Sequence, residues 1–73
     1  MLAIEKAVEI IGGQTVLANQ LGIRQGHVWN WLHRHKQAPA KYIRFISTAT
    51  QGEVSVDELL HDHETNHQLK HTA

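Results

Sequence analysis

The chain has 73 residues, and its seven Lys or Arg balance its seven Asp or Glu, so the formal net charge at neutral pH is zero. That length fits one small domain with no second core, and the lack of cysteine excludes disulfides and thiolate zinc sites. The opening MLAIEKAVEIIGG carries Glu5, Lys6 and Glu9 among its apolar residues, which argues against a signal peptide or membrane span and makes the cytosol the expected location.

Ile4, Ala7, Val8 and Ile11 recur at helical spacing, and Gly12-Gly13 stops that first helix. A second helix is predicted over Gln14 to Leu21, with Val16 or Leu17, Ala18 and Leu21 facing inward. A third runs from about Gln25 to Arg34, with Val28, Trp31 and Leu32 on one face. Pro39 suits a first helical turn and opens a fourth, which carries Tyr42, Ile43, Phe45, Ile46 and Ala49 and ends at Gly52. Ser55 and Glu58 have capping-box spacing, so Val56 to Leu60 is predicted as one last helical turn. Only Glu53-Val54-Ser55-Val56 alternates at all, and weakly. Beyond Leu60, HDHETNHQLKHTA has Leu69 as its one large apolar residue. The expected organisation is therefore an all-α domain of four to five helices over residues 1–60. Residues 61–73 are expected to form a polar, His-rich, disordered tail that folding does not need.

The zero net charge conceals a sorted pattern. Between Gln14 and Gly52 the bases are Arg24, Arg34, Lys36, Lys41 and Arg44, and no Asp or Glu occurs. The acids sit in the first helix and in the end segment (Glu53, Asp57, Glu58, Asp62, Glu64). A basic middle between acidic ends favours a polyanion docking on one face.

Gly22-Ile23-Arg24 separates the second and third helical patterns. Two helices joined by so short a turn, at a steep angle, form a helix-turn-helix. That geometry needs a small residue where the helices cross, supplied by Ala18, and a residue at positive φ in the turn, supplied by Gly22. Apolar residues from both helices must lock the corner, and Leu17, Leu21, Ile23, Val28 and Trp31 fall there.

The side of the third helix opposite its apolar face shows Gly26, Asn30 and His33, flanked by Trp29, Arg34 and His27. A recognition helix reads base edges with its first turns, which brings Arg24, Gln25, Gly26 and His27 nearest the groove floor. Gln25 and Asn30 can pair with adenine, and arginine with guanine, through two hydrogen bonds each. Gly26 lets the backbone approach the bases, at a cost of about 1 kcal/mol in helix stability relative to alanine. Trp29 either touches a thymine methyl or sugar edge, or lies flat over a neighbouring helix. His27 and His33 can donate to bases or phosphates. Gln14, at the amino end of the second helix, points at the phosphate backbone. Arg34, Lys36, Lys41 and Arg44 have few local acids to pair with and are expected on phosphates.

Gln14-Thr15, Ala18, Leu21-Gly22-Ile23, Gln25, Val28 and Trp31 resemble the helix-turn-helix of phage Cro and repressor proteins. The longer run GIRQGHVWNW, then APAKYIRFISTATQGEVSVDELL, looks like the Cro-like YdaS group of prophage regulators, with a lambda-repressor/Cro-like DNA-binding domain. That group shows a glycine-glycine break, a Q-G-x-V-x-x-W recognition helix, a P-A pair and an A-T-x-G-x-V-x-x-x-E-L ending. The resemblance covers about Leu2 to Leu60. It implies an all-helical regulator at the bacterial nucleoid, acting on a double-stranded operator, commonly as a homodimer on two half-sites. By position, Gln14 resembles a phosphate-contacting glutamine that braces Gln25. Arg24, Gln25, Gly26, His27, Trp29 and Asn30 fall where the family reads bases. The group usually has a small polar residue where Trp29 stands.

The alternative is an antitoxin that binds both a toxin and its own promoter, because proteins of this group are often described so. The expected dimer surfaces are the fourth helix, through Tyr42 and Phe45, and the segment Val54 to Leu60. No acid-base pair shares a predicted rigid element, so no enzyme activity is expected. His63, His67 and His71 would share one helical face, but so polar a tail holds no helix unaided, and neither a metal nor another cofactor is expected.

Overall fold

The first helix, α1 (Ala3–Ile11), turns Ile4, Ala7 and Val8 inward, and the chain then passes through Gly12-Gly13 into α2 (Gln14–Leu21). The computed structural model describes the backbone of residues 1–72 and the side chains of residues 1–66. On α2 Leu17 and Ala18 are buried, whereas Val16 stands at the surface. Gly22 ends α2 at φ +71°, a left-handed conformation that glycine adopts without a Cβ penalty. Its N–H bonds Asn19 O at 3.2 Å and the Ile23 N–H bonds Ala18 O at 3.0 Å, a Schellman closure that leaves few carbonyls of the helix end unpaired.

After the three-residue turn Gly22-Ile23-Arg24, α3 (Gln25–Asn30) begins, and it continues without a break into a wider π-helical turn over Trp31–His35. The helical stretch thus reaches one residue past the expected Arg34. α2 and α3 pack more extensively on one another than other pairs of separate helices do. Val28 and Trp31 are buried in the corner, and Leu21, Ile23 and Leu32 pack around them.

Helix α4 (Ala40–Ala49) follows Pro39 and buries Ile43 and Ile46. Tyr42 on α4 meets Trp31 with ring centroids 5.5 Å apart, which ties the fourth helix to the end of the third. Thr50 closes α4: its buried hydroxyl donates to Ser47 O at 2.7 Å and accepts from the Val54 N–H at 3.1 Å. The conspicuous A-T-x-G-x-V stretch is therefore a structural clip between helices.

Ser55 and Glu58 form the expected capping box, with the Glu58 N–H on Ser55 Oγ at 3.0 Å and the Ser55 N–H on the Glu58 carboxylate at 3.3 Å. The helix it starts does not stop after one turn. α5 spans Val56–Thr72, so the expectation of a structureless tail from residue 61 is corrected. Leu59, Asp62, His63 and Asn66 are spaced i, i+3, i+4 and i+7 and share one face. Leu59 enters the core, and the three polar residues hydrogen-bond the rest of the domain. The side chains expected in the tail at residues 67–73 lie outside the described residues. Every element among the described residues is helical, and no helix there is long and apolar enough to cross a membrane.

Candidate nucleic-acid interface

The corner between α2 and α3 puts their amino ends side by side. There the Gln25 side-chain amide donates to Gln14 Oε1 at 2.5 Å, across eleven residues of sequence. Gln14 is half-buried and Gln25 exposed, so the pair forms a polar bridge at the surface. The bond orients both amides and leaves Gln25 Oε1 and Gln14 Nε2 turned to other partners.

From that bridge the exposed side of α3 runs through Gly26, Asn30 and His33, with Asn30 half-buried and the other two open. A Cβ built on Gly26 meets no other heavy atom within 4 Å, so no neighbouring side chain requires a glycine there. Trp29 is only partly covered. It is 45 % exposed and stacks on His33 one turn later, with ring centroids 4.6 Å apart and planes tilted by 38°. An aromatic pair of that size held at the surface is an apolar edge on an otherwise polar face.

His27 turns toward α4. It lines a shallow cleft of about 220 Å³ with Ile23, Trp31, Pro39, Lys41 and Tyr42. It therefore stands at the edge of the exposed face; across the cleft the Lys41 ammonium lies 5.2 Å from the Tyr42 ring centroid. Arg24, the residue before α3, is exposed. His33, Arg34, His35 and Lys36 are exposed at the far end of the same helix.

Among the described residues the salt bridges are Lys6 with Glu58 at 3.8 Å and His61 with Glu64 at 3.6 Å, the latter ionic only with a protonated imidazole. Neither involves Arg24, Arg34, Lys36, Lys41 or Arg44. Their positive charge is thus uncompensated by close carboxylates, as an anion-binding face requires.

The expected residues come together unevenly. Gln14, Arg24, Gln25 and Gly26 cluster at the corner, Asn30, Trp29 and His33 continue along the helix, and Arg34 and Lys36 close its end. Of the apolar residues expected on a dimer surface, Phe45 (63 % exposed) and Leu60 (40 %) are open, while Val54 and Leu59 are fully buried. Phe45 borders a cleft with Gln20, Leu21, Tyr42, Thr48 and Ala49. His63, one member of the histidine series, bonds Gln37 and Ala38. His67 and His71 lie outside the described side chains.

The family model described as "Bacterial toxin YdaS" matches residues 4–68. The "Putative transcriptional regulator YdaS" of Escherichia coli (strain K12) is 35 % identical over 60 residues, which are 82 % of this chain and 61 % of that protein. The chain thus spans about three-fifths of the length of this curated relative. No solved structure matches significantly.

Proposed function

This chain belongs to the YdaS family, and we propose that it is a sequence-specific DNA-binding transcriptional regulator, a Cro-like and prophage-derived repressor. It inserts the helix from Gln25 to Arg34 into the major groove of an operator and acts by binding alone, without a catalytic step. The observation that carries this reading is the Gln14–Gln25 bond, which joins the amino ends of two helices beneath a polar, acid-free face. A glutamine held by a second glutamine has one donor–acceptor pattern to present, which suits bidentate reading of an adenine edge. Helix α2 starts beside it and can meet a backbone phosphate with its free N–H groups. Gly26, Trp29, Asn30 and His33 then face the bases or sugar edges, and Arg24, Arg34 and Lys36 the phosphates. The protein works in the bacterial cytoplasm, at the nucleoid, as a homodimer on two half-sites, with Phe45 on α4 available for pairing.

Selection of bound duplexes from a random pool tests this reading, since it reports specificity, symmetry and half-site spacing together. A recurring sequence with two related half-sites is expected. Affinity for it should fall steeply with salt, the log–log slope dropping by about one for each phosphate contact removed. A pool that yields no enriched sequence, or an affinity that is flat from low to physiological salt, overturns it.

A second reading is an antitoxin that binds both a toxin and its own promoter, whereas the matched family's description as a toxin points to a toxic activity of the chain itself. A neighbouring small toxin gene whose product co-purifies with this chain would support the antitoxin reading. Growth inhibition by the chain alone, unchanged by Gln25→Ala, would instead point to a toxic activity separate from the DNA face.

A further inference from the structure

The carboxyl end of the recognition helix is not held by its own turn. After the π-helical segment Trp31–His35 the chain enters a left-handed residue at Lys36, φ 58° and ψ 28°, with no glycine to ease it. The Lys36 and Gln37 N–H groups both fold back onto Trp31 O. The carbonyls of His35 and Lys36, at the helix end, have no partner within the helix. Their partner is Asn66 on α5, about thirty residues away in sequence. Its amide Nδ2 donates to Lys36 O at 3.1 Å, His35 O at 3.2 Å and Gln37 Oε1 at 2.8 Å.

His63, one turn earlier on α5, continues the chain of bonds. Its Nε2 lies 2.6 Å from Ala38 O, and a carbonyl can only accept, so Nε2 carries the proton. Nδ1 is then the acceptor for the Gln37 side-chain amide at 3.1 Å. Gln37 is thereby oriented at both ends, its oxygen on Asn66 and its nitrogen on His63. Four consecutive residues, His35 to Ala38, are clasped to one face of α5.

Resting on the reading of α3 as the DNA-reading helix, we propose that Asn66 and His63 are positioning residues for DNA binding. They cap the end of the recognition helix from α5 and so fix the direction in which Arg34 and Lys36 meet the phosphate backbone. Arg34 and Lys36 are exposed, and neither makes a salt bridge among the described residues. Long side chains on an unclasped helix end would have to be ordered at the moment of binding, which weakens association. The clasp orders their backbone beforehand.

The test is a double-mutant cycle in the full chain, with a short duplex recovered from the random pool as probe. Asn66→Ala is expected to weaken binding roughly five- to twenty-fold, within the usual range for coupled residues, and to lower the log–log salt slope by about one. In an Arg34→Ala, Lys36→Ala background the same change is expected to cost less than about twofold, because the side chains it positions are gone. Equal losses in both backgrounds, an unchanged slope, or no loss in the parent would overturn the proposal. A merely structural role lowers the melting temperature without changing the slope.

The His63 pair gives the answer even if Asn66→Ala does not fold. His63→Gln can place an amide N–H where Nε2–H stands and should bind within about twofold of the parent; His63→Leu should fall like Asn66→Ala. Matching affinities for those two variants would also overturn it. A parent that binds no duplex fails the DNA-binding reading itself. A parent that binds while all variants bind alike fails only the clasp.

Discussion

From Gln25 to Trp31 the chain reaches the core through Val28 and Trp31 and keeps its polar residues for the solvent side. From Leu59 to Asn66 the inward positions are Leu59, Asp62, His63 and Asn66, so after one leucine the docking face is polar. The first region is held by burial, which is non-directional and tolerates small shifts. The second is held by hydrogen bonds to backbone groups of fixed position, which do not. Asp62 shows the difference best. It is 3 % exposed, and its two oxygens accept the N–H groups of Ala3 at 2.9 Å and Ile4 at 3.0 Å. The last helix thus caps the first. A carboxylate at a helix amino end also meets the positive end of the helix dipole.

The largest expected effect breaks that comparison outright. Removing residues 61–73 deletes Asp62, His63 and Asn66 together, and with them both bonds to the first N–H groups of α1 and the clasp on residues 35–38. Hydrogen bonds to a charged acceptor contribute about 1.5–3 kcal/mol each, and the lost clasp adds to this. For a domain of this size the melting temperature should fall by about 10 °C or more. A truncated chain that melts within a few degrees of the parent would mean that α5 is peripheral, as the composition of the segment suggests.

A substitution at Asp62 sharpens the contrast. If α5 docked as α3 does, Asp62→Leu would be tolerated, because the position is buried. Since the groups facing it are backbone N–H donors, no apolar residue can satisfy them. Asp62→Leu and Asp62→Ala should both cost about 2–4 kcal/mol in denaturant unfolding. Asp62→Asn keeps one acceptor and should fall between them and the parent. A Leu variant as stable as the parent would refute the polar account.

The same contrast decides what could be read from the sequence. The helix-turn-helix was legible because each of its requirements is a residue type at a fixed spacing: Ala18, Gly22, and the apolar set Leu17, Leu21, Ile23, Val28 and Trp31. Gln14 and Gln25 were paired through a family resemblance, and the bond between them is present. The start of α5 was legible in its capping box, but its continuation past Leu60 was not. A test for apolar period reads Asp62, His63 and Asn66 as solvent-loving, although their spacing from Leu59 is that of one helical face. The period was there, carried by residues whose partners are backbone groups elsewhere in the chain. No local pattern shows that Ala3, Ile4, Lys36 and Ala38 need those partners. The π-helical turn at Trp31–His35 and the left-handed Lys36 were hidden for the same reason, since their support comes from α5.

At the other end of the comparison stands the Gln14–Gln25 bridge, where binding rather than folding is expected to respond. Gln25→Ala should weaken operator binding by about 1–3 kcal/mol and change stability by no more than about 0.5 kcal/mol, as an exposed residue should. Gln14→Ala should lose part of the same amount, and the double variant less than the sum, since one bond joins the two. Strict additivity in an anisotropy titration would show that the bridge does not orient Gln25 on DNA.

The smallest expected change has opposite signs in the two measurements. Gly26 lies in the first turn of α3, exposed, with nothing within 4 Å of where a Cβ would stand. Alanine there should therefore stabilise the free protein by about 0.5–1 kcal/mol, through helix propensity and a less disordered unfolded chain. The melting temperature should rise by a few degrees. If the backbone of that turn approaches the bases, the same methyl group occupies the space they need, and operator affinity should fall while stability rises. Thermal melts and operator titrations of Gly26→Ala, made on one preparation, separate the two effects. A variant that is more stable and binds undiminished would show that the helix does not approach DNA at this point, and would move the contact toward Asn30 and His33.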